Sequence, residues 1–144
     1  MAAEGLIALL SAYDPRETAD RLAAEIVARG MTVFARIDHA AGAAAVGMTM
    51  RATEVLIFGN ARGGTPLMLI EQTIGIDLPL KALVHQDADG KVHLSYNDPH
   101  WLARRHGNNA SVAANVDAMA AMLAAVTAKV TQGARREAVT ETSK

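Results

Sequence analysis

The chain has 144 residues, 51% of them hydrophobic and 20% charged, the composition of one folded domain able to bury its own core. Fourteen basic residues against fifteen acidic ones leave a formal charge of −1, and aromatic residues make up only 3%, which excludes a basic, base-stacking binder of nucleic acid. The absence of cysteine excludes disulfides, thiolate metal sites and cysteine nucleophiles.

GLIALLSA (5–12) is a short apolar run without a basic leader or an obvious cleavage site, so it predicts a first strand rather than a signal peptide. Asp14-Pro15, with Glu17 three residues after the cap, predicts a helix start. Leu22, Ala23, Ile26 and Val27 then share one helical face, and Gly30 ends the helix. TVFARID (32–38) predicts a strand with Val33, Ala35 and Ile37 turned inward. HAAGAAAVGM (39–48) is a short Ala-rich helix, and TEVLIFGN (53–60) a third strand.

The third strand runs into FGNARGGTP (58–66). Laid on the phosphate-loop pattern G-x-x-x-x-G-K-[ST], Gly59 and Gly64 match, but Thr65 and Pro66 stand where the lysine and the magnesium-binding hydroxyl belong. That excludes a nucleotide triphosphatase. Locally, Thr65 is an N-cap candidate with Pro66 in the first turn, and the glycines form the turn. A small anion held by that helix end beside Arg62 is the alternative.

From Pro66 a helix carries Leu67, Ile70 and Ile74 on one stripe and stops near Gly75. LPLKALVHQ (78–86) and KVHLSY (91–96) flank Asp87-Ala88-Asp89-Gly90, a hairpin signal. Asp98-Pro99 repeats the cap-and-proline device, and Gly107 closes a short helix. Ser111 opens a longer one with Val112, Val116, Met119, Leu123, Val126 and Val130 inward. No apolar run is read as a membrane span, and the expected location is cytoplasmic. The polar stretch 132–144 is expected to fray, leaving 1–131 as one α+β domain. Its sheet is expected to be mixed but mostly antiparallel, of about five strands, with helices packed on it.

Several side chains carry chemistry. His39, beside Asp38 at a strand end, is a general base, a metal ligand or merely a helix start. His85 and His93 can approach across the hairpin, but two imidazoles alone make a poor metal site. His100 and His106 lie on different faces of a helix, and His106 also suits the helix C-terminus. Lys81 stands in an apolar strand with Asp77 just before it, and is a candidate if paired or buried. Tyr96, Asn97 and Asp98 put a phenol, an amide and a carboxylate at a strand-to-helix junction, where Asp98 is first of all a cap.

In series, IDHAAGAAAVGM, VLIFGNARGGTPLM, GIDLPLKALVHQDADGKVHLSYNDP and LARRHG resemble domain-of-unknown-function family 302 from about Gly5 to Gly107. The last helix matches in character. The resemblance implies a compact α+β domain and a two-fold homodimer, with recurring polar positions at Asp38, His39, Gly59, Asn60, Thr65, Pro66, Asp77, Lys81, Tyr96, Asn97, Asp98 and His106. It carries no established activity, and haem, bound by some members, is the one named ligand. The resulting expectation is a small-ligand-binding domain with a site drawn from His39, Asn60, Met68, Lys81, Tyr96, Asn97 and Asp98. Haem iron would be taken by His39 or His106. Two alternatives stay open. One is an enzyme using His39 or Lys81 as acid–base with Asp38 or Asp98 orienting it. The other is an interaction dimer without chemistry.

Overall fold

Five runs rich in Val, Leu and Ile pair into one sheet in the computed structural model, which describes residues 3–133. They are β1 (Leu6–Ser11), β2 (Thr32–Asp38), β3 (Thr53–Gly59), β4 (Leu80–Gln86) and β5 (Val92–Asn97), in the order β1-β5-β4-β3-β2. The fold is α+β, as expected, but every ladder is antiparallel. The expected mixed sheet is absent because α1 (Pro15–Ala28) carries the chain across the full width of the sheet. β1 and β2 therefore run the same way but lie at opposite edges and never meet.

α1 begins where Asp14 accepts the Glu17 N–H at 2.8 Å, and it buries Ala19, Leu22 and Ile26. Val27, expected on the same face, is exposed. α5 (Ala113–Thr131) buries Val116, Met119, Leu123, Val126 and Val130 and packs beside α1. Both cover the sheet face built from Leu56, Phe58, Leu80, Ala82, Val84, Leu94 and Tyr96. Each such aliphatic side chain contributes roughly 1.5–3 kcal/mol of transfer free energy when fully buried. Thr127 and Thr131, buried on α5, stay satisfied by donating to Leu123 O and Thr127 O at 2.8 Å each. Ala110–Thr131 is long and apolar enough to cross a membrane, contrary to the expectation, but its inner row is built into this core.

Three local departures shape the rest. First, the β2–β3 register slips between Val33 and Ala35, so Val33 stays with Phe58 on the helix side while Ala35 and Ile37 face the other. Ile37 is consequently exposed rather than inward, and Phe34 swings out at the bulge. Second, α3 (Ala61–Ile70) starts earlier than expected: Asn60, not Thr65, is its N-cap, with Oδ1 accepting the Gly63 N–H at 2.7 Å. Pro66 then sits inside the helix just past the first turn, at the expense of one backbone hydrogen bond. Third, a short 3-10 turn, Ala110–Val112, precedes α5 where a continuous helix was expected from Ser111.

The remaining elements follow their caps. Asp38 accepts the Ala41 N–H at 2.9 Å to start α2 (His39–Ala45), and Asp98 accepts the His100 N–H at 3.0 Å to start α4 (Pro99–Arg105). The expected hairpin is present, with Asp87 Oδ1 accepting the Asp89 and Lys91 amides at 2.9 Å each. The expected frayed tail falls on residues 134–144, outside the described residues, apart from Gln132 and Gly133.

Candidate functional site

The bulge in β2, the β3–α3 junction and α5 enclose a cavity of about 730 Å³ between them. Arg29 and Met31 reach it from the end of α1, Phe34 from the bulge, and Gly59, Asn60, Ala61, Gly63, Gly64, Thr65 and Met68 from the β3–α3 junction. Leu78, Pro79 and Leu80 form the approach to β4, and Asn115, Ala118, Met119 and Met122 come from α5. FGNARGGTP is thus a pocket wall. Its glycines leave room: a Cβ on Gly64 would stand 3.5 Å from Leu78 Cδ1 and 3.7 Å from Met68 Cε, in ordinary contact.

The lining is mostly apolar, with four methionines whose flexible thioethers adapt to irregular shapes. Its side-chain polar groups are the Asn60 and Asn115 amides and the Thr65 hydroxyl, and among the described residues Arg29 is the one charged side chain. Because Asn60 Oδ1 is committed to Gly63, its NH₂ is what remains to donate. Arg29 Nε donates to Glu25 Oε2 at 2.9 Å, and Lys129 Nζ lies 3.1 Å from the other oxygen. Hydrogen bonds from Arg29 and Lys129 hold the Glu25 carboxyl below its usual range. Two cations share one carboxylate, which leaves a surplus positive charge beside the pocket.

Of the site residues expected from sequence, Asn60 and Met68 come together here, and the others go elsewhere. His39 is the exposed first residue of α2. Tyr96 points into the helix-covered core, where burial raises its phenol pKa. Lys81 and Asn97 sit one residue out of phase with Ala82 and Tyr96, so they project from the opposite sheet face. Asp98 caps α4, its Oδ1 also lying 3.2 Å from His100 Nδ1. His100 Nε2 reaches Asp117 at 2.8 Å; Asp117 first, then Asp98, raise its pKa and tie α4 to α5.

His106 lies in a bracing network. Its Nε2 is 2.6 Å from Asp77 Oδ2 and its Nδ1 2.9 Å from Thr73 Oγ1, while Arg105 Nη1 donates to both Asp77 oxygens at 2.9 Å. Both ring nitrogens are engaged, so neither offers a lone pair to a metal. On the open sheet face His85 and His93 stack with centroids 4.8 Å apart, and His93 Nε2 meets Asp87 Oδ2 at 2.7 Å. His85 Nδ1 is buried without a hydrogen-bond partner among the described residues, and burial lowers the His85 pKa. No group of three metal-ligating side chains forms among the described residues.

Most of the pocket was missed in sequence because its walls come from four separate stretches, 29–34, 59–68, 78–80 and 115–122. Its one local signal was an asparagine three residues before a glycine pair.

Comparison with known proteins places this architecture. Two relatives named fluoride-specific ion channel FluC 1, from Brucella suis biovar 1 (strain 1330) and Brucella abortus biovar 1 (strain 9-941), are each 46% identical over 115 residues, 80% of this chain. The match covers only 45% and 43% of those relatives, so the chain spans less than half their length. A crystal structure of an uncharacterized conserved DUF302 protein from Bacillus stearothermophilus superposes with a TM-score of 0.79, covering 90% of this chain and 100% of that one at 18% identity, a likeness of fold. The model of the family described as domain of unknown function DUF302 matches residues 7–130, the sheet apart from Leu6 and nearly all of α5, and the chain belongs to that family.

Proposed function

We propose that this domain binds a small, largely apolar molecule in the pocket between β2, α3 and α5. The observation that carries the reading is the cavity itself: about 730 Å³, within the range of small-molecule sites, with apolar walls and a few polar groups to fix orientation.

Haem held by His39 or His106 does not fit this geometry. Neither histidine lines the cavity, and both His106 nitrogens are occupied. Acid–base chemistry by His39 or Lys81 finds no better support, since Asp38 and Asp98 spend their carboxylates on helix N-termini. The test is binding of a neutral solvatochromic dye such as Nile red. Wild-type protein is expected to bind it with a blue shift, and Ala118→Trp, which fills the cavity from α5, to lose most of that binding. Equal dye binding by the two proteins sinks the reading.

A second reading places the domain alongside a fluoride-specific channel, favoured by the 46% identity to proteins of that name. It assigns no conduction to this chain: among the described residues the one helix of membrane-spanning length contributes its inner row to the core. Cells lacking the domain would then grow more poorly under fluoride stress than their parent. Indistinguishable growth removes this reading.

A further inference from the structure

We infer that the ligand of this pocket is an amphipathic monoanion, a molecule with an apolar body and one carboxylate-like head, and that Arg29 selects it. The inference rests on the ligand-binding reading above and specifies what that site takes. Among the described residues no carboxylate lines the cavity, and the one charged lining group is the Arg29 guanidinium.

Glu25 does not neutralise that charge alone, because it is shared with Lys129: Arg29 Nε and Lys129 Nζ lie 2.9 and 3.1 Å from its two oxygens. Nε is the guanidinium nitrogen committed to Glu25, which leaves the terminal nitrogens to form a charge-assisted pair with an incoming anion. The Asn60 NH₂, released by the commitment of Oδ1 to Gly63, adds a neutral donor.

The walls exclude the other charge classes. An apolar cation would meet Arg29 with like charge, and among the described residues a polyanion such as a nucleotide would find no second cation and no aromatic platform beyond Phe34 in the lining. A neutral apolar molecule would leave the guanidinium unused. Met68, Met119 and Met122 supply a deformable apolar bed for a chain or ring rather than a rigid slot. The sum is a fatty-acid-like ligand.

Displacement of Nile red by decanoate and by decan-1-ol, in wild-type and Arg29→Gln protein, tests this. Arg29 is partly solvent-exposed, so its pair with the head group is discounted for screening. The expected result is that R29Q weakens decanoate about five-fold more than it weakens decan-1-ol. Raising salt should narrow the wild-type preference in the same direction. If R29Q weakens both equally, or neither, the monoanion inference falls while the pocket reading stands. If neither compound displaces dye that Ala118→Trp abolishes, the inference also falls. If wild type and Ala118→Trp bind dye alike, both fall together.

Discussion

Asp87 sits at the turn of the β4–β5 hairpin, where His93 and two backbone amides crowd their donors onto one carboxylate. The His93 contact first, and the Lys91 amide next, pull its pKa from 3.8 down to about 2. A carboxyl depressed in the folded state stabilises the fold above its unfolded value, and that contribution is lost as pH falls through the folded one. The unfolding free energy should therefore drop as pH is lowered from 3.8 towards 2, and the drop should be shallower in Asp87→Asn. Parallel curves for the two proteins in chemical denaturation would contradict this. The role of Asp87 in the turn was legible in the sequence, since Asp-x-x-Gly between two apolar runs is a local signal. Its partnership with His93 was half legible: the hairpin brings the arms together, but which ring stacks and which one pairs depends on side-chain packing. His106 was less legible still. Its partners Thr73 and Asp77 lie 33 and 29 residues away, and no local pattern reports them.

At the scale of elements, helix starts divide into those the sequence marked and two it mismarked, α3 and α5. Asp14 and Asp98 stand directly before a proline, which is favourable at the first helical position, and both cap as expected. The same logic at Thr65-Pro66 misplaced α3, because Asn60 offers a good cap six residues ahead of Pro66, directly after the end of β3. Asn60→Ala should lower stability by about 1 kcal/mol through loss of the Gly63 hydrogen bond, while Asn60→Asp should retain most of it. Urea unfolding measures both, and an alanine variant as stable as wild type would show that Thr65 can take over the cap. The bulge in β2 is another event that period-two reading cannot see. One extra residue moves Ala35 and Ile37 to the far face and frees Phe34 for the pocket.

At the scale of the molecule, α1 and α5 cover one face of the sheet, while Leu6, Leu10 and Ile37 on the other face remain exposed. We propose that the homodimer implied by the family resemblance uses this apolar surface. Light scattering should then give twice the chain mass, and Leu10→Glu should shift it towards the monomer. A wild-type monomer at working concentration would count against it. The number of strands, the caps at Asp14 and Asp98, the hairpin, the inner row of α5 and that of α1 apart from Val27 were determined by the sequence alone. Each depends on periodicity or turn chemistry within a dozen residues. Only the tertiary structure decided that β1 and β2 lie at opposite edges, that Lys81 and Tyr96 point to opposite faces, and that one cavity gathers Arg29, Phe34, Asn60, Met68 and Ala118. Those relations join segments far apart along the chain. They are set by how helices cross the sheet and how a single bulge shifts its register, and neither leaves a local trace.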